Sequence, residues 1–301
     1  MINVAIIGNN FGRRVHIPAF QSIENVNIVT CSDYNWIDLM CDTGIDAISL
    51  SVPPSAAYEI LKSAIFNKKH IFCEKPFCSN VKDALDIWSL VKDTDLITAI
   101  NFEICESRII KKFKNILLTK KINGFSFNWN TINNNKEHIW KNNILLGGGA
   151  LNNFGSHVLN LIEYVFSQKI NNISGSLLPK LYYNELVNAN LYFNSFMGTM
   201  TIDTTSNVGS DILMTVHCDD GDLILKNNTP ALKNFSLFDN DTLIDQEQDI
   251  SNIDGRIELT NSIARKFING IKIGAQIYPN IADGLRVQFL MNQLIEGGFN
   301  V

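Results

Sequence analysis

Ile2-Asn3-Val4-Ala5-Ile6-Ile7-Gly8-Asn9-Asn10-Phe11-Gly12 is the stretch on which the fold turns. Its first six residues form an almost continuous apolar run, the pattern of a strand covered on both faces. Gly8 follows directly, where a strand must bend sharply to enter a helix. A dinucleotide-binding turn needs three small positions: one for the tight turn, one where backbone meets pyrophosphate, and one for helix packing. Gly8 is the first. Asn10 stands at the second, where its tolerance of left-handed backbone can preserve the geometry. Gly12 falls one residue before the usual third position, which Arg13 occupies. An arginine at a helix start can pair with a phosphate, and Phe11 lies within the turn itself.

Outward from this stretch, apolar runs alternate with helical patterns for about a hundred residues. Val26–Cys31 and Ile45–Val52 read as further strands, the latter stopped by Pro53-Pro54. A helix is expected over 55–67, a strand over His70–Cys73, a helix over 81–92 and a strand over 96–100. Strands alternating with helices imply βαβ units and a doubly wound parallel sheet. Ligands of such sheets bind beyond the carboxyl ends of the strands. Ser51, Pro53, Glu74, Lys75 and Glu103 all fall at such ends. The ammonium of Lys75 suits polarising a carbonyl or hydroxyl, and Asp33, just past the second strand, suits a ribose 2′-OH while repelling a 2′-phosphate.

The pattern changes after about residue 120. Phe125, Phe127 and Trp129 alternate with Ser126, Asn128 and Asn130, as in a half-exposed strand. Further alternating strands are expected near 171–178, 185–194, 197–204, 211–217 and 222–226, mostly antiparallel. Two helices, 256–270 and 281–294, close the chain. Between the first and second of these strands, Gly147-Gly148-Gly149 precedes an apolar helix over 150–166. The glycine run is read as a bend, or as room for substrate or nicotinamide to approach the backbone. Asn153 and His157 are four apart and share a helix face, and a histidine titrating near neutrality suits proton transfer. Trp140 and Lys141 are candidates to line a cleft. His16 is expected to pack beside the first helix start, with a place near the cofactor as the alternative, and His70, His138 and His217 to be structural.

At 301 residues the chain is long enough for two domains. A net charge of −5 and no long basic run argue against nucleic acid or anionic membrane as partners. The first residues carry no basic segment ahead of the apolar run, so they read as a strand and not as a signal peptide. No apolar run approaches the roughly 20 residues of a spanning helix. The six cysteines form no C-x-x-C pair and have no histidines clustered near them. A metal site or disulfide framework is not expected; buried reduced thiols in a cytoplasmic protein are.

In family order, the landmarks Ile7–Phe20, Ser51-Val52-Pro53-Pro54-Ser55, His70–Phe77, Asn101-Phe102-Glu103, Trp140-Lys141, Gly147–Asn153 with Gly155-Ser156-His157, and Ala282–Gln288 resemble those of the Gfo/Idh/MocA oxidoreductases. The resemblance implies a Rossmann domain, here residues 1–101, followed by an α+β domain with a large, mainly antiparallel sheet, here 102–301, which often forms a homo-oligomer (dimer or tetramer) interface. It implies an NAD- or NADP-dependent reaction on a sugar, polyol or nucleotide-sugar, with Asp33 favouring NAD. It implies that Lys75 contacts the reacting oxygen and that His157 is the acid/base, with Asn153, Glu103, Trp140 and Lys141 toward the substrate.

Two departures from the family pattern stand out. Asn153 occupies a position where many members carry aspartate, and adds no charge to raise the basicity of His157. After Asp33 the chain passes almost at once into Tyr34–Met40, so roughly one helix–strand unit flanking the adenosine end is missing, since a crossover needs about a dozen residues. Two other readings stay open: NAD used transiently in glycoside cleavage or epimerisation, and a binding or scaffold protein without catalysis.

Overall fold

The computed structural model describes residues 1–31, 36–132, 139–180, 183–205, 209–229, 232–247 and 254–297. The chain divides into two units. The first comprises Met1–Glu103, Leu145–Gly147 and Arg256–Gln288; the second comprises the remainder.

In chain order, the first unit begins with β1 (Ile2–Ile7), a wide helical turn at Gly12–His16 that runs into α1 (Ile17–Gln21), and β2 (Val26–Cys31). Then follow α2 (Trp36–Cys41), β3 (Ala47–Leu50), α3 (Pro54–Phe66), β4 (His70–Cys73), α4 (Val81–Val91) and β5 (Thr98–Ile100). Local sequence explains the helix starts. Pro54 is the first residue of α3, where its missing N–H costs nothing. The Asn80 side chain caps α4 by accepting from the Asp83 N–H at 2.9 Å.

The five strands are parallel and lie in the order β2-β1-β3-β4-β5. β3 and β5 are buried along their whole length, as expected of a sheet covered on both faces. The six-stranded doubly wound arrangement has a further strand outside the second. Here β2 is outermost among the described residues, and α2 alone leads from it toward β3. The missing helix–strand unit is therefore a feature of the fold. Lys69, 5% exposed, braces this short crossover by donating to the carbonyls of Asp42 at 2.6 Å and Ile45 at 2.8 Å.

The second unit contributes α5 (Arg108–Leu117), β6 (Ile122–Asn130), α6 (Ser156–Phe166) and β7 (Asn172–Lys180). Then come β8 (Tyr183–Tyr192), β9 (Met197–Asp203), β10 (Asp211–Cys218), β11 (Gly221–Asn227), β12 (Ser236–Asp239) and β13 (Thr242–Gln246). They form an eight-stranded sheet, β13-β12-β11-β10-β6-β9-β8-β7, antiparallel except where β6 meets β9. Along β6 the alternation holds as expected: Phe125, Phe127 and Trp129 are buried and the residues between them are partly open. Phe125 packs with Phe166, Phe193 and Phe196 at ring separations of 4.9 to 6.3 Å.

α7 (Arg256–Ile273) returns to the first unit. Its Ile263, Ala264, Phe267 and Ile268 join Val4, Ile6, Phe20 and Phe72 in one apolar core. Gln276 then bonds to Leu96 and Thr98, and the Pro279 carbonyl accepts from Ile100, so this segment covers the open edge of β5 ahead of α8 (Ile281–Gly297). A boundary between 101 and 102 takes no account of this return. Phe20 and Phe72 need the α7 aromatic, which no local pattern announces.

No helix among the described residues is long and apolar enough to cross a membrane. Cys73, Cys78, Cys105 and Cys218 are buried free thiols, whereas Cys41 is exposed, contrary to the expectation of buried thiols, because the short α2 leaves its end at the surface.

Candidate active site

The strand ends of the first unit gather the site. β1 ends in Gly8, whose φ of +128° suits glycine alone; a side chain there would also run into the Ser51 carbonyl. Asn10 is not among the residues with positive φ, so the left-handed geometry expected of it is absent. Its carbonyl instead accepts from the Arg14 N–H at 3.0 Å and opens the helical turn. Gly12 lets that turn close on the sheet, since a methyl there would lie 3.0 Å from the Ser51 hydroxyl. The Ser51 Oγ is buried and has no hydrogen-bond partner among the described residues. A buried unpaired hydroxyl between two glycines, at the carboxyl end of a parallel sheet, fits a dinucleotide. Arg13 is exposed and Pro53 precedes α3. Asp33 lies outside the described residues.

β4 delivers Glu74 and Lys75. The Glu74 N–H pairs with the Leu50 carbonyl at 2.9 Å, and the Asn101 N–H pairs with the Cys73 carbonyl at 2.8 Å, so the tip is fixed from both neighbours. Oε1 of Glu74 meets His16 Nε2 at 2.9 Å and accepts from Asn101 Nδ2 at 2.7 Å. His16 is fully buried, with Nδ1 2.8 Å from the Ser49 Oγ and its ring held edge-on by Phe11 and Phe72. Asn101 also donates to Thr260 Oγ1 at 3.1 Å, which ties the first turns of α7 to the tip. The chain Ser49–His16–Glu74–Asn101–Thr260 is thus a polar network inside an apolar core.

Electrostatics divide the two carboxylates near Lys75. Burial pushes Glu74 up, but the His16 hydrogen bond and charge, Lys75 and Asn101 outweigh it, and Glu74 sits below its usual range. Glu103, 2% exposed, is pushed up to about 8 by burial and by the Glu74 charge, with Lys75 and Arg256 opposing. Lys75 itself is lowered, first by burial and also by the Arg256 charge, against the pull of Glu103 and Glu74. The Arg256 guanidinium lies over the Phe11 ring, 5.0 Å from its centroid. The Lys75 ammonium lies in the field of one fixed carboxylate and one that keeps its proton near neutrality, a setting that can hold an oxygen whose charge changes during reaction.

The second unit holds the other sequence candidates. His157 is 6% exposed in the first turn of α6. The Asn153 amide donates to the Lys141 carbonyl at 3.3 Å, and the Gly149 N–H donates to the same carbonyl at 2.8 Å, so Trp140-Lys141 and the glycine run are held together. The Lys141 ammonium lies 5.8 Å from the Trp140 ring centroid. The glycine run does not leave room for a ligand, as the sequence suggested. A side chain on Gly148 would meet the Trp140 and Lys141 carbonyls, and one on Gly149 would meet Asn184, whose Oδ1 accepts from the Leu151 N–H at 2.9 Å. The protein's own atoms make the close approach.

Sequence reasoning brought Glu74, Lys75 and Glu103 to one place but missed His16 as their partner, and missed Thr260 and Arg256. Thr260 had a readable signal, a polar residue on the apolar stripe of Leu259, Ile263, Ala264 and Phe267. Arg256 had none.

Residues 23–102 match the description "Oxidoreductase family, NAD-binding Rossmann fold" of the GFO/IDH/MocA group, and residues 121–224 match the GFO/IDH/MocA C-terminal domain. An uncharacterised oxidoreductase of Synechocystis sp. is 26% identical over 193 residues, 55% of this chain and 51% of that protein. The chain therefore spans about half the length of that curated relative. Among solved structures, levoglucosan dehydrogenase in complex with NADH and levoglucosan superposes with a TM-score of 0.85 at 16% identity, over 99% of this chain and 96% of that one. Aldose-aldose oxidoreductase from Caulobacter crescentus, complexed with glycerol, gives 0.83 at 14% identity, covering 99% and 97%. At such identities the likeness shows the fold.

Proposed function

The chain belongs to the Gfo/Idh/MocA oxidoreductase family, and from that premise we propose that it is an NAD-dependent dehydrogenase acting on a CH–OH group of a sugar or polyol. The observation that carries this reading is Lys75 at the tip of β4, beside a Glu74 fixed by His16 and Asn101. Solved relatives of the same fold carry NADH with levoglucosan or L-sorbose in their descriptions, which supports the cofactor and the substrate class.

The Gly8–Gly12 turn, Arg13, Ser51 and Pro53 would hold the dinucleotide. When bound, it supplies the hydride acceptor or donor. Lys75 binds the substrate oxygen and stabilises the charge that develops on it. His157 takes the hydroxyl proton in the oxidative direction and returns it in the reductive one. Glu103, Asn153, Trp140 and Lys141 are proposed to orient substrate hydroxyls.

The test is turnover on a panel of sugars and polyols, followed as NADH absorbance. Lys75→Met should lower kcat about 10²–10³-fold with an unchanged circular dichroism spectrum. Full activity in that variant would remove the assignment.

A further inference from the structure

Gln288 closes the stretch Ala282–Gln288 and takes no part in the chemistry above. It lies in α8, is 4% exposed, and its Oε1 is buried without a hydrogen-bond partner among the described residues. Buried side-chain acceptors are paired in the great majority of cases, so an orphaned one points to a donor from outside the chain.

The packing of α8 says where that donor would stand. The Ile281 N–H donates to Thr98 Oγ1 at 3.3 Å. Nearly one turn on, Gly284 meets β5 so closely that a methyl there would lie 3.1 Å from Ile100 Cγ1 and 2.9 Å from the Phe77 ring. Helix and strand therefore run side by side in the same direction. Gln288 is four residues beyond Gly284, on the same helix face and about 6 Å further along. β5 ends at Ile100, so that step carries Gln288 past the carboxyl end of the strand. Ser51 Oγ, just past β3, and Asn101 Oδ1, just past β5, are orphaned in the same way. A ligand supplying N–H and O–H donors along this edge of the sheet accounts for all three.

The Gly8–Gly12 turn and Ser51 place the pyrophosphate at β1 and β3. β5 is the opposite edge of the sheet from β2 and its adenosine side, so Gln288 falls at the nicotinamide end. The nicotinamide carries one kind of N–H donor, its carboxamide. We propose that Gln288 binds this carboxamide, its Oε1 accepting from the NH2 group. The proposal deepens the dehydrogenase reading and rests on it for the presence of the dinucleotide. Holding the carboxamide fixes the rotation of the ring about its glycosidic bond, and with it the face offered for hydride transfer.

The experiment uses the full chain, with NAD and its 3-acetylpyridine analogue as probes. The analogue keeps the carbonyl but has a methyl in place of the NH2. Affinities for both are measured by calorimetry in native protein and in Gln288→Met, which has nearly the same shape and no polar oxygen. Native protein should bind NAD about tenfold more tightly than the analogue, and Gln288→Met should bind the two within about twofold. Thermal melting without cofactor should be unchanged or raised in Gln288→Met, because the removed oxygen has no partner to lose.

The same preference for NAD in both proteins overturns the proposal, and assigns the orphaned oxygen to a substrate hydroxyl if KM alone rises. A melting point several degrees lower in Gln288→Met also overturns it, by showing that the amide serves the fold. If native protein binds neither probe, the dehydrogenase reading falls with it. If the preference for NAD depends on Gln288 but no sugar or polyol is turned over, the carboxamide site stands and the dehydrogenase reading falls alone.

Discussion

Glu74 and Glu103 both act on Lys75 through their charge, and their surroundings drive their titrations apart. Glu103 keeps its proton up to about 8, whereas an unfolded glutamate loses it near 4.3. Between those values the unfolded state binds fewer protons than the folded one, so this group lowers stability as pH rises through that window, by at most about 1.4 kcal/mol per pH unit. Glu103→Gln should therefore gain stability relative to native protein at pH 8 and little at pH 5, measured by urea unfolding at both. An equal difference at the two pH values would show that Glu103 is ionised in the folded state. Glu74 has the opposite sign: its lowered pKa contributes stability above the unfolded value that is lost as pH falls. His16→Leu removes the partner of the Ser49 hydroxyl and leaves Glu74 Oε1 with Asn101 alone, and should cost roughly 2 kcal/mol by the same method. The sequence placed Lys75 correctly at a strand end because its neighbours in sequence define that end. His16 escaped because its partners, Ser49 and Glu74, lie 33 and 58 residues away.

At the level of elements, the short crossover through α2 depends on one lysine. Lys69 donates to the Ile45 carbonyl and to the Asp42 carbonyl, which also accepts from the Ile45 N–H at 3.2 Å, and it is almost fully buried. Lys69→Met keeps the aliphatic volume but strands the Ile45 carbonyl and leaves Asp42 with its backbone bond alone, so it should destabilise the fold by about 1–3 kcal/mol, visible as a lower denaturation midpoint with an unchanged slope. A loss below about 0.5 kcal/mol would show that water replaces the ammonium. Periodicity made β1, β3, β4 and β6 legible, because burial on one or both faces leaves its mark on consecutive residues. It failed for β12 and β13, which are four and five residues long at a sheet edge where little is buried. The glycine run was legible as a close approach, but not what approaches it: Asn184 lies 35 residues beyond Gly149 in the chain.

For the molecule as a whole, alternation of strands and helices predicted the parallel sheet, and the missing unit showed as a gap too short for a crossover. With β2 outermost, no further strand flanks the adenosine side among the described residues. The discrimination then falls to Asp33, and NADH should bind several-fold to about tenfold tighter than NADPH by calorimetry; equal affinities would remove that role from Asp33. What sequence order could not convey is that α7 completes the first unit. That has a consequence for synthesis. When the ribosome has made the five parallel strands, Phe20 and Phe72 still lack Phe267, and Glu74 still lacks the Asn101–Thr260 tie. The nascent chain must carry an exposed aromatic seam through some 150 further residues, a natural point for chaperone engagement, and the tip bearing Lys75 is not locked until α7 has been made.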